Sequence, residues 1–250
     1  MFRQVLSFIL IAATAGACLG GQAETSQPTP PTILFIGNSF TAANGGIDAI
    51  LNQFSASPDN SGQALSTAMT SDGATLKQLW SNRGVRKAIQ SGAYRVLILQ
   101  ADIPESDVAT FQEYTRDFVG EARQAGTRPV LLMAWAYDRL GWITQDEIAL
   151  AHEEIGRELG IDVAPVGLAW SRVKAERPTL DLYAPDREHP SASGSYLAAC
   201  VVYATVTGGS PAGKWAAGES FKGMDAATAS YLEGVAWDTV QTYQREHGAP

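Results

Sequence analysis

Thr32-Ile33-Leu34-Phe35-Ile36-Gly37-Asn38-Ser39-Phe40-Thr41 decides how the rest of the chain is read. An apolar run rich in β-branched and aromatic residues stops abruptly at Gly-Asn-Ser, and polar, glycine-containing sequence follows. That pattern describes a buried strand ending in a tight turn that presents one hydroxyl at its C-terminal edge. In open parallel α/β sheets, ligands bind at that edge. A serine after a strand is also an ordinary loop residue, so Ser39 needs support from elsewhere in the sequence.

Outward from this strand, helical and extended patterns alternate. Residues 46–54 place Ile47, Ile50, Leu51 and Phe54 at helical spacing. The cluster 57–62 is a turn, and 64–69 is a weak second strand closing at Ser71-Asp72-Gly73. Beyond it Leu76, Leu79 and Trp80 mark a helix, with residues 85–89 as its continuation or as a second short helix. Residues 94–100 form a continuous apolar run of the kind parallel sheets bury on both faces. Residues 107–125 are a strongly amphipathic helix stopped at Gly126. A fourth strand spans 129–135. The next helix, 144–159, has Thr144 as N-cap, Glu147 completing a capping box and Gly160 as terminator. A short strand at 161–166, a helix at 167–176, a loop up to His189 and helices at 193–207 and 225–243 complete the pattern. Uninterrupted alternation predicts one doubly wound α/β domain with a parallel sheet of about five strands.

Composition suits that picture. The chain has 250 residues, 45% hydrophobic and 18% charged, enough for one sizeable core. A net charge of -8 argues against nucleic acid as a partner and provides no basic patch for anionic membranes. The N-terminus reads as an export signal: Arg3, a short apolar run from Val5 to Ala13, then small residues. That run is too short for a transmembrane segment in the mature protein. Residues 1–23 are thus a signal peptide cleaved after Ala17 or Ala23. Alternatively, Ala15-Gly16-Ala17-Cys18 is a lipoprotein signal, cleaved before a Cys18 that carries a lipid anchor. Residues 24–31 are a Pro-rich tether and 32–250 a single domain. The expected location is periplasmic, secreted or membrane-anchored. With only Cys18 and Cys200, no disulfide framework is expected, and Cys200 reads as a small buried hydrophobe.

A serine hydroxyl is a poor nucleophile unless a base removes its proton. The chain offers three histidines. His152 falls on the apolar side of its helix, and His247 stands three residues from the C-terminus, where disorder is the default. His189 remains, in Asp186-Arg187-Glu188-His189-Pro190. One turn of chain can bring Asp186 to Nδ1 of His189 and leave Nε2 for a serine. Negative charge developing on a substrate also needs preorganised donors. Gly73 at the exit of strand two and the Gln100 amide at the end of strand three are candidates on the edge that carries Ser39.

Gly37-Asn38-Ser39-Phe40, Gly73 and Asp186-Arg187-Glu188-His189-Pro190 together resemble the sequence blocks of the SGNH/GDSL hydrolase superfamily, in order, over roughly residues 32–208. The resemblance implies a three-layer α/β/α, flavodoxin-like fold and a serine esterase, lipase or acyltransferase. It implies Ser39 as nucleophile, His189 as base and Asp186 as its orienter, with the Ser39 and Gly73 N–H groups lining the oxyanion hole. The chain departs from the family pattern twice. Gly-Asn-Ser replaces Gly-Asp-Ser, and Gln100 stands where the third block supplies Asn. A branch of the superfamily carries Gln in this context, with a later strand ending like Met133-Ala134-Trp135-Ala136.

The expected reaction is hydrolysis of a small acyl or carbohydrate-linked ester through an acyl-enzyme, with no cofactor and no metal. Asn38, Trp135 and Tyr137 are candidate substrate contacts. Trp135, Tyr137 and Trp142 cluster after strand four, where they either stack a sugar or acyl group or pack the loop. Asp102 and Glu105 lack partners for a metal site, no zinc spacing occurs, and Gly45-Gly46 lacks the ending of a phosphate loop. The alternatives are acyl transfer between glycans and a non-catalytic cell-envelope binding protein that retains the fold.

Overall fold

Every residue of Ile33–Gly37 (β1) and of Val96–Gln100 (β3) is buried. The computed structural model describes residues 32–55, 65–101, 103, 106–137, 141–215 and 221–247. The signal segment 1–23 with Cys18, the tether 24–31, the turn cluster 57–62, Asp102 and Glu105 lie outside the described residues. Around β1 and β3 stand Ser66–Thr70 (β2), Arg128–Leu132 (β4) and Asp162–Ala164 (β5). All pairings are parallel, in the order β2-β1-β3-β4-β5. β2 is an edge strand with mixed burial, which is why its sequence signal is weak.

Alternate residues of the strands feed two separate cores. Ile33, Phe35, Val96, Ile98, Val130 and Leu132 pack against Ile47–Ser55 (α2), Val166–Glu176 (α7), Ala192–Thr207 (α8) and Ala226–His247 (α9). Leu34, Ile36, Leu97, Leu99 and Leu131 face Leu76–Ser81 (α3), Arg83–Gln90 (α4), Val108–Gln124 (α5) and Gln145–Leu159 (α6). The result is the expected three-layer α/β/α sandwich. No described helix is long and apolar enough to cross a membrane.

Local signals set the helix ends as read. Thr144 and Glu147 form a capping box, and Gly160 closes α6 in the left-handed region. Asp107 caps α5. The segment after β2 divides into two helices because the Asn82 side chain accepts from the Gly84 and Val85 N–H groups and starts α4 afresh. Three expectations are corrected. The turn after β1 is a short helix, Ser39–Ala42 (α1), because the Asn38 side chain caps it. β4 ends at Leu132, before Trp135. α9 runs to His247, whose ring stacks on Tyr243 at 4.8 Å, so this histidine is held in a helix.

The strand order fixes where a ligand can enter. From β1 the chain turns toward β2, and from β3 toward β4, so the loops leaving these neighbouring strands diverge. The crevice between them is the topological switch point of such sheets. Ser39 follows β1 and Gln100 ends β3.

Candidate active site

Ser39 opens α1, half-buried, directly after the buried Asn38. Asn38 accepts from the Phe40 N–H at 3.0 Å through Oδ1, and its own N–H donates to Gln100 Oε1 at 3.0 Å. The Thr41 hydroxyl donates to the same oxygen at 3.0 Å. Gly37 makes this possible: a Cβ there would stand 2.7 Å from both Gln100 Oε1 and Thr41 Oγ1. Phe40 is buried against Trp135 at 4.9 Å, and Trp135 stacks on Trp170 at 4.2 Å. Ser39 thus projects from a turn fastened to the core on both sides.

The segment carrying His189 is built differently. Tyr183 and Pro190 form an isolated antiparallel bridge, and the Ala184 N–H donates to the His189 carbonyl at 2.7 Å, closing the loop. Within it, Asp186 Oδ1 accepts from the Glu188 and His189 N–H groups, each at 3.0 Å. These bonds, that of Glu188 foremost, hold the Asp186 carboxyl below the usual carboxylate range. Arg187 takes the left-handed conformation, φ 63°, and pairs with Asp181 at 2.7 Å.

The two segments meet at His189. Its Nδ1 lies 2.8 Å from Asp186 Oδ2, and its Nε2 lies 2.8 Å from Ser39 Oγ. A carboxylate at Nδ1 places the proton there and leaves Nε2 as acceptor for the serine hydroxyl. The Phe40 ring meets the imidazole edge-on at 5.6 Å. Residues 150 apart in sequence are brought into one hydrogen-bonded chain, Ser39–His189–Asp186.

Two residues whose contacts the sequence did not announce tie the His189 loop to the rest. The Trp135 indole N–H donates to the Glu188 carbonyl at 3.0 Å. The Asn44 amide donates to the Pro190 carbonyl at 2.8 Å and to Ser195 Oγ at 2.9 Å. Asn44 is left-handed, φ 59°, and Asn tolerates that conformation better than most residues. An Asn five residues after the serine and followed by two glycines was the available clue.

No protein-family model and no curated protein sequence matches the chain. Solved structures do. A candidate SGNH hydrolase from Slackia heliotrinireducens superposes with a TM-score of 0.61 at 24% identity, over 71% of this chain and 100% of that one. The acetylxylan esterase Axe2 from Geobacillus stearothermophilus gives 0.59 at 17% identity, over 72% of this chain and 95% of that one. A DUF4886 family protein from Bacteroides uniformis gives 0.65 at 16% identity, over 85% and 95%. The chain has the SGNH hydrolase fold.

Within this SGNH hydrolase fold the remaining expected residues divide. Gly73 sits exposed in a turn with φ 62°. That turn is closed by the Ala74 N–H to the Ser71 carbonyl, which leaves the Gly73 N–H outside its own bond. The Asn38 side chain reaches the Ala74 carbonyl at 3.5 Å and so links this turn to the serine. The Ser39 N–H, first of α1, has no intrahelical acceptor. Gln100 differs from expectation: its side chain is 1% exposed, and its Nε2 is buried with no partner among the described residues. Asn38, Trp135 and Tyr137, expected at the substrate, are 1%, 1% and 4% exposed. They are spent on capping α1 and packing around Phe40, which corrects their reading as substrate contacts. Trp142 separates from that pair and is exposed in a groove with Val108 and Leu150.

Proposed function

We propose that this chain is an exported serine esterase that removes a small acyl group, acetyl foremost, from a carbohydrate-linked ester. In this reading residues 32–250 are the hydrolase domain behind the export segment. One observation carries it: the Ser39 hydroxyl, the His189 imidazole and the Asp186 carboxylate form a continuous relay with both links at 2.8 Å. The relay lies at the C-terminal sheet edge, where such folds bind ligands. The acetyl ester is suggested by Axe2, which is an acetylxylan esterase.

The chemistry follows from the geometry. Ser39 Oγ attacks the ester carbonyl carbon while its proton passes to His189 Nε2. The imidazolium that results is stabilised by Asp186 across Nδ1. Charge on the carbonyl oxygen is met by the Ser39 and Gly73 N–H groups. Collapse of the tetrahedral species breaks the bond to the alcohol, which leaves with the proton from Nε2. Water then attacks the acyl-serine, delivers its proton to the same nitrogen, and releases the acid and free Ser39.

A fluorophosphonate probe tests the reading directly. Wild-type protein should become labelled on Ser39 and Ser39→Ala should not. Turnover on a panel of acetylated xylo-oligosaccharides and short-chain aryl esters, with Ser39→Ala as blank, should fall with acyl length. An unlabelled, folded wild-type protein sinks the esterase reading, and a preference for long acyl chains sinks the acetyl assignment.

A further inference from the structure

The observation that lacks a role is the buried Gln100 amide. Its Oε1 accepts two hydrogen bonds, from the Asn38 N–H and the Thr41 hydroxyl, both at 3.0 Å. Its Nε2 is buried with no partner among the described residues. Rotating the amide by half a turn would set its NH2 against the Asn38 N–H, donor against donor, so the orientation is fixed by its partners. Leaving a buried donor unmatched is costly, and an Asn at this position would be one methylene shorter. A longer side chain that carries an unused donor makes sense where the oxygen, not the nitrogen, is the working atom.

We propose that Gln100 is a positioning residue for Ser39, acting as an acceptor and not as an oxyanion donor. Oε1 ties together the two residues that flank Ser39-Phe40 and sets the direction of the Ser39 Oγ toward His189 Nε2. Gly37 belongs to the same device, because only a residue without a Cβ lets Gln100 and Thr41 close over β1. Among the described residues, the donor set for the oxyanion is then the Ser39 and Gly73 backbone N–H groups. This assignment rests on the esterase reading for its kinetic consequences, though the two hydrogen bonds at Oε1 do not.

Gln100→Glu and Gln100→Leu separate the two atoms. Glu keeps the acceptor and lacks the amide N–H, and Leu lacks both. Gln100→Leu should lower kcat on an aryl acetate about 10²-fold, the scale of a small misplacement of a reacting group, with KM within about twofold. Gln100→Glu should recover most of that loss. Thr41→Val, which removes one of the two donors to Oε1, should lower kcat severalfold. Combined with Gln100→Leu it should cost nothing further, since both changes break one unit. A Gln100→Glu enzyme as impaired as Gln100→Leu overturns the proposal, because the N–H would then be the working group. Wild-type rates in Gln100→Leu overturn it as well. If Gln100→Leu does not fold, Thr41→Val and Gln100→Glu decide, and an unchanged kcat in Thr41→Val overturns it.

Amide hydrogen exchange at Asn38 keeps this apart from the esterase reading. Protection in wild type and Gln100→Glu that is lost in Gln100→Leu supports the acceptor role even if Ser39 takes no probe. Equal exchange in all three overturns it.

Discussion

The arm that carries Ser39 and the loop that carries His189 reach the same hydrogen bond from opposite structural regimes. Around the serine, Asn38, Phe40 and Thr41 are at most 2% exposed and are fixed by core packing and by a glycine that admits a close neighbour. Around the base, the Asp186 and His189 side chains are 51% and 34% exposed, and the loop is shaped by its own backbone bonds. Side-chain packing fixes Ser39, while the loop's hydrogen bonds fix His189. A buried arm fails by overpacking or by orphaned polar groups. An exposed loop fails by losing a particular bond, and water softens each loss.

The largest effect tests the point where the two regimes join. His189→Ala should lower ester turnover by about 10⁴-fold or more while leaving Asn38 exchange unchanged, since removal of one member of such a unit nearly abolishes catalysis. Turnover within tenfold of wild type would break the comparison at its root. Asp186→Asn comes next. The side-chain nitrogen would face Nδ1–H of His189 and disfavour the working tautomer, but the exposed site lets water substitute, so a loss of about 10²-fold is expected, short of a fully buried orienter. Its carboxyl is held below the usual range, so well above the usual aspartate value it is ionised in both folded and unfolded chains and its contribution is fully present. That contribution declines as pH falls below the ordinary aspartate range and is gone once pH has passed through the lowered folded value. Protection at the Glu188 and His189 amides relative to their intrinsic exchange rates, followed from pH 6 to pH 3, should persist past the point where an ordinary aspartate is protonated.

What could be read in the sequence follows the same division. The Asp186–His189 spacing, the capping box at Thr144 and the buried runs of β1 and β3 are local, and local patterns survive in a string of letters. Ser39 was singled out because it ends a strand and the local Asp186–His189 pair offers it a base. Gln100, Trp135 and Asn44 were not, because their partners stand 62, 53 and 146 residues away. Sequence chemistry assigned Gln100 the donor that its amide can provide, whereas the fold uses its acceptor. Trp135 and Tyr137 read equally as a stacking platform or as loop packing, because an aromatic pair after a strand has the same letters whether it faces solvent or core. His247 looked frayed because position near a terminus says nothing of the Tyr243 ring beneath it.

Gly37→Ala probes the buried arm alone. Its Cβ would meet Gln100 Oε1 and Thr41 Oγ1 at 2.7 Å, and Gln100 is itself buried. Unfolding measurements should show a loss of about 1–3 kcal/mol, the usual range for overpacking, with kcat lowered about tenfold as the serine shifts. An unchanged melting curve would mean that the arm yields as easily as a loop.

The smallest effect is the most informative about how the two regimes are coupled. Asn44 belongs to the serine segment yet holds the base loop, through the Pro190 carbonyl and Ser195 Oγ. Asn44→Gly removes the amide while keeping a residue that tolerates the left-handed backbone, φ 59°, so the change tests the clamp and not the turn. Trp135 still anchors Glu188 and the Tyr183–Pro190 bridge still closes the loop, so kcat should fall only about fivefold, the low end for two lost hydrogen bonds of about 0.5–1.5 kcal/mol each. The loss should appear in kcat and in exchange at His189, with Asn38 exchange unmoved. If Asn38 exchange rises together with that at His189, the arm and the loop are one cooperative unit joined through Asn44. In that case the buried side does not hold its shape independently of the exposed one.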